Sequence, residues 1–209
     1  MPESLLMFLT QGAPAAALLL AAMVLASLFG LFVSPKFIER CVLRPYWLLR
    51  RREYATLIGN GFVHADMAHL LFNAFTFWAF GFGLERQIGT PAFLGLYAVG
   101  LVVSDLGSWL MHRRDPGYAT LGASGAILAV LFASIIHFPG ASIFILPIPV
   151  PIPAPLFALS YLIYSYVAGR RQRGRVNHDA HLAGALAGVV FVALTAPSAL
   201  ARFFHHLID

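Results

Sequence analysis

Charge is what this chain has least of. Only 11% of its 209 residues are Asp, Glu, Lys or Arg, against 59% apolar, where a soluble domain carries about 25% charged residues. That scarcity, with a mean hydropathy of +0.78, excludes an ordinary soluble domain and points to a membrane protein. The length suggests a single domain over residues 1–209. Cysteine is nearly absent. Cys41 stands alone, which excludes an intrachain disulfide and a cysteine-rich metal site. There is no His-Glu-x-x-His, so a zinc peptidase is disfavoured. Internal repeats are missing too, against a transporter. No Lys or Arg precedes the first apolar run, whereas a secretory signal peptide opens on a basic stretch, so that run is expected to be a retained helix. The pI near 9.8 does not argue for nucleic acid. The basic residues sit in short loops between apolar runs, so lipid headgroups are the expected partner.

What the chain has in quantity is long apolar runs. Crossing the hydrocarbon takes about 20 apolar residues, and six stretches fit or come close, at about residues 15–33, 67–84, 91–111, 121–138, 153–168 and 180–195. The expected architecture is all-α, a six-helix membrane bundle. The first connection, residues 34–60, is basic and aromatic, and reads as a partly helical segment lying in the interface. The fourth contains "LPIPVPIPAP", whose proline density excludes an α-helix and implies a stiff extended stretch.

With six spans, segments two, four and six begin on one face of the membrane, and their polar residues lie at those beginnings. His64, His69 and Asn73 open segment two, with His69 and Asn73 four apart and on one helix face. Ser124 opens segment four, and His178 and His181 open segment six. Segment four carries Gly125, Ala129 and Ala133, and segment six Ala180, Gly184 and Gly188, both at four-residue spacing. Small residues in this pattern let membrane helices approach closely. If those surfaces meet, Ser124 and His181 come within hydrogen-bond reach.

A serine hydroxyl needs a base to take its proton before it can attack a carbonyl. Asp179 is a poor third member, because positions two apart on a helix point about 200° apart. The pattern therefore favours a Ser124–His181 dyad. Acyl transfer also needs donors for the developing oxyanion. The free N–H groups at the start of segment four supply some, Asn73 and His69 would complete the hole, and Gly122 and Gly125 let a substrate backbone come close.

These residues resemble the rhomboid family of intramembrane serine proteases. The family's His-x4-His-x3-Asn element reads His64, His69 and Asn73. Its Gly-x-Ser-Gly reads Gly122 to Gly125, its Ala-His-x2-Gly-x3-Gly reads Ala180 to Gly188, and its Glu-x3-Gly reads Glu85 and Gly89. The resemblance implies cleavage of transmembrane segments of membrane proteins. Ser124 would be the nucleophile and His181 the base, and the Ser124 backbone N–H, His69 and Asn73 the oxyanion hole. His64, Gly122, Gly125, Gly184 and Gly188 would support them. It implies no metal and no cofactor, a transmembrane protein substrate, and a multi-pass location, expected to be a cell (inner) membrane. The alternative is an inactive rhomboid-like protein that binds or chaperones membrane clients. Such relatives usually lack the serine or the histidine, and this chain has both.

One departure from the family stands out. Some members carry a tyrosine one turn after the serine that packs on the catalytic histidine. Leu128 occupies that position here, so another side chain must hold His181. Trp47 and Arg50 are candidates for a Trp-Arg pair in the first loop. Outside the site, Asp105 is expected to be structural, Glu85 to pin the second loop, His178 to be interfacial, and His205 and His206 to end a solvated tail. The fifth segment and the loop after it are candidates for a moving gate. Orientation is pulled two ways. Lys and Arg concentrate in the first, third and fifth loops, on the serine side, which the positive-inside rule assigns to the cytoplasm. The resemblance implies the reverse, with both termini cytoplasmic.

Overall fold

The computed structural model describes residues 12–145, 148–171 and 176–208. In chain order its elements are α1 (Pro14–Phe32), α2 (Pro35–Cys41), α3 (Pro45–Arg50), α4 (Thr56–Gly59), α5 (Met67–Ile88), α6 (Thr90–His112), α7 (Ser124–His137), strands β1 (Ser142–Ile145) and β2 (Ile148–Pro153), α8 (Ala154–Arg171), α9 (His178–Thr195) and α10 (Pro197–Ile208). Each of the six apolar segments carries a helix. Among the described residues, α1, α5, α6 and α9 are long and apolar enough to cross a membrane. The expected number of spans was six. α7 has 14 residues, a rise of about 21 Å against a hydrocarbon core of about 30 Å. α8 ends in two arginines.

α7 is short because it is the centre of the bundle rather than part of its wall. Gly125 to Ile136 are all buried, as befits a helix that is apolar all round. α5, α6, α8, α9 and α10 pack on it. Its closest neighbour is α9, and the small residues explain why. A Cβ on Gly184 would collide with the Gly125 backbone, and one on Gly188 with the Ala129 backbone. The two helices touch main chain to main chain, which only glycine permits.

Local chemistry sets where the helices begin. The Asp66 side chain accepts from the His69 N–H at 2.8 Å and caps α5. Asn177 does the same for α9 through the Ala180 N–H at 3.0 Å. Glu85, buried at the far end of α5, accepts from the Ala15 and Ala16 N–H groups at 3.1 and 2.6 Å and from the Thr90 hydroxyl at 2.6 Å. One carboxylate thus caps α1 from another helix and pins the second loop.

The first connection is helical in pieces, α2 to α4. Arg50 lies 3.8 Å over the Tyr46 ring and Arg51 3.8 Å over Trp47. Trp47 therefore pairs with Arg51, not Arg50, because four residues make a full turn and three fall short of the ring face. A two-residue bridge between Leu43 and Thr120 ties this loop to the one that leads into Ser124.

The proline-rich stretch is extended, and it also pairs. β1 and β2 form an antiparallel hairpin with Ile143 opposite Ile152 and Ile145 opposite Ile148. The Ala154 N–H donates to the Ala141 carbonyl at 3.0 Å at the base of the hairpin, and the pairing shifts register between Ile143 and Ile145. The last stretch forms a helix, α10, and His205 and His206 are exposed on it.

Candidate active site

Ser124 and His181 open α7 and α9, and the glycine seam between those helices brings them together. His181 Nε2 lies 2.7 Å from Ser124 Oγ, although the residues are 57 apart in sequence. Both are half-buried. Ser124 is the first residue of its helix, so its N–H has no intrahelical acceptor.

Behind Ser124 stands the start of α5. Gly122 has φ +123°, and a Cβ there would fall 2.7 Å from the His69 ring. Only glycine fits, for reasons of both backbone and space. The Gly122 N–H donates to the Asn60 carbonyl at 3.0 Å, which fixes the loop. Asn73 is buried, and its amide donates one N–H to the His69 carbonyl at 2.9 Å, leaving its second N–H for another acceptor. The His64 ring meets the His69 ring edge-on at 4.8 Å. His64 is fully buried, and its Nδ1 lies 2.9 Å from the Ser27 hydroxyl of α1. Burial pushes its pKa down to about 3, so His64 stands neutral behind His69.

His178 is buried rather than interfacial. It is the first residue of α9, and its ring packs against Tyr164 at 5.4 Å and His181 at 6.0 Å. α9 begins at His178, two residues before the boundary expected from sequence. Asp179 turns away from His181 and pairs with His112 at 2.9 Å, and the His112 ring stacks on Tyr118 at 3.6 Å. Asp105 accepts from the Asn60 amide at 2.7 Å. Its partner is thus an amide in the first connection. Arg173 and Arg175 of the fifth loop lie outside the described residues.

Two residues at the site escaped the sequence reading. Asn177 caps α9 and also donates to the Ser108 and Thr120 hydroxyls at 2.7 and 3.1 Å, tying α9 to α6 and to the loop before Ser124. An asparagine just before a helical run is a cap signal. The other is Tyr161 of α8, whose hydroxyl lies 2.8 Å from His181 Nδ1. Its signal was a phenol inside an apolar helix, where a hydroxyl needs a partner. Leu128, at the position of the family's tyrosine, packs in the same apolar cluster as Tyr161. Among the described residues no group of three or more His, Cys, Asp or Glu is placed to hold a metal ion.

The bundle and its apolar helices define a multi-pass membrane protein. Residues 51–198 match the family model described as the Rhomboid domain. The chain is 31% identical over 175 residues to "Rhomboid protein 1, mitochondrial" of Saccharomyces cerevisiae, covering 79% of this chain and 49% of that protein. It is 32% identical over 141 residues to "Presenilin-associated rhomboid-like protein A, mitochondrial" of Danio rerio, covering 65% and 36%. Against the Homo sapiens "Presenilin-associated rhomboid-like protein, mitochondrial" it is 30% identical over 133 residues, covering 63% and 35%. The chain belongs to the rhomboid family. It spans half or less of the length of these relatives. Because they are mitochondrial by name, the expectation of a cell (inner) membrane is reduced to a multi-pass membrane location.

Proposed function

We propose that this chain is a serine endopeptidase that cuts transmembrane segments of membrane proteins, with residues 1–209 acting as one domain. The observation that carries the reading is the 2.7 Å contact between Ser124 Oγ and His181 Nε2 at the starts of two helices. As Ser124 Oγ attacks a substrate carbonyl carbon, its proton passes to His181 Nε2. The carbonyl oxygen becomes an oxyanion beside the Ser124 N–H, with Asn73 and His69 as further donors. The carbon–nitrogen bond then breaks, and the amine leaves with the proton from His181. Water, deprotonated by the same nitrogen, releases the acyl group from Ser124.

Helical substrate carbonyls are already hydrogen-bonded, and freeing them in lipid is expensive. The preferred substrates are therefore segments whose helix is easily unwound near the cut. The proposed orientation is that of the family, with Ser124 on the face opposite the termini.

The test is cleavage of a reporter transmembrane segment by detergent-purified protein, with Ser124→Ala and His181→Ala beside the wild type. Cleavage by the wild type alone, with both variants folded, supports the dyad. Cutting by Ser124→Ala at the wild-type rate would overturn it. Silence of the wild type on several reporters would favour a client-binding rhomboid-like protein.

A further inference from the structure

A base must present a lone pair. His181 has one ring nitrogen on Ser124 and the other 2.8 Å from the Tyr161 hydroxyl. Neutral imidazole carries one proton, and its location decides whether the dyad works. If the Tyr161 hydroxyl donates to Nδ1, the proton sits on Nε2, which then points N–H at Ser124 and cannot accept. If Nδ1–H donates to the Tyr161 oxygen, Nε2 is left as an acceptor for the Ser124 hydroxyl.

The surroundings of Tyr161 favour the second arrangement. Ser165 lies one helical turn further on, on the same face of α8 as Tyr161. Ser165 is almost fully buried, and its hydroxyl oxygen has no hydrogen-bond partner among the described residues, which leaves it an unsatisfied acceptor one turn from the phenol. It can take the phenol proton, which frees the Tyr161 oxygen to accept from His181. The Tyr161 ring is itself held, against Phe157 at 5.9 Å and Phe132 at 6.1 Å. Asp179, the carboxylate nearest in sequence, is committed to His112.

We infer that Tyr161 is the positioning residue of the dyad: its hydroxyl, backed by Ser165, accepts Nδ1–H and holds His181 in the tautomer that lets Nε2 act on Ser124. The inference rests on the protease reading above. It places on α8 a task that some family members give to a tyrosine on the serine's own helix.

The experiment uses the full chain with Tyr161→Phe, which keeps the ring and its packing, and Ser165→Ala. The first readout is the ¹⁵N shift pattern of His181, assigned by difference from His181→Gln. Wild type shows a protonated Nδ1, and Tyr161→Phe shows a tautomer mixture or reversal. The second readout is kinetic. In Tyr161→Phe, kcat falls roughly 10- to 100-fold, part of the ~10²–10⁴ that a positioned base contributes, with KM unchanged. Ser165→Ala shows a smaller loss in the same direction. An unchanged tautomer together with an unchanged kcat in Tyr161→Phe would overturn the inference. So would a change that appears in KM or melting temperature alone, since packing would account for it. Failure of the protease reading looks different: wild-type Ser124 would not react with a phosphonofluoridate, and the inference would fall with it.

Discussion

At the scale of the residue, the site is a small number of polar groups held by specific hydrogen bonds, with both ring nitrogens of His181 engaged. Asn73 uses one amide N–H on the His69 carbonyl, and the proposed mechanism gives its second N–H to the oxyanion. Asn73→Ala is expected to lower kcat by roughly 10²–10³, the usual loss for one oxyanion donor, with the fold intact by melting. His64 makes a prediction in pH. Its folded pKa of about 3 lies below the ordinary 6.5, so the unfolded chain binds the extra proton between these values. The stability that neutral His64 provides is present above pH 6.5 and drains away as pH falls toward 3. A melting series across that window should show a shallower acid loss for His64→Phe than for wild type. Ser124, His181, His69 and Asn73 were legible in the sequence because polar residues are costly within apolar runs and these stand at the starts of alternate segments. Tyr161 was not. A tyrosine in an apolar run reads equally well as packing or as an interfacial aromatic, and only the fold shows which histidine its hydroxyl meets. The partner of Asp105 was hidden for the same reason, since Asn60 is 45 residues away.

At the scale of the element, the distance between Ser124 and His181 is set by the seam of α7 and α9. Gly184→Val places side-chain carbon where the Gly125 backbone now sits. It should destabilise the protein by about 1–3 kcal/mol through overpacking and abolish cleavage, read as a lowered melting temperature and lost activity together. Glu85→Gln tests the other end of the bundle. It replaces a charged acceptor of two backbone N–H groups with a neutral one, and should cost about 1–3 kcal/mol while leaving Ser124 reactive. Helix seams of this kind can be read from four-residue spacing, and the α7–α9 seam was. The β-hairpin could not be, because alternating prolines specify an extended chain but not the strand it pairs with. The fifth segment was expected to gate the site. α8 places the Tyr161 hydroxyl on His181, so if Tyr161 positions the base as inferred, an opening by α8 must spare that contact for cleavage to proceed.

At the scale of the whole molecule, the six apolar segments each carry a helix, and the fourth, α7, is buried among its neighbours. What hydropathy could not show is that the serine's helix is shorter than a span and sheathed by the others. The crowding of arginine on the serine side is met in part by aromatic rings of the first connection, a pairing that suits the headgroups of either leaflet. With the family orientation, Arg114→Cys in a Cys41→Ser background is labelled by an impermeant maleimide from the non-cytoplasmic side, and His205→Cys from the cytoplasmic side. The reverse pattern would place the site in the cytoplasm. The central claim, that His181 makes Ser124 a nucleophile, is tested most directly without choosing a substrate. Membrane-reconstituted protein is treated with a phosphonofluoridate, and the modified residue is mapped by mass spectrometry in wild type and His181→Ala. Modification of Ser124 in the wild type that disappears in His181→Ala is the predicted result. An unmodified Ser124, or one modified equally without His181, would contradict the account.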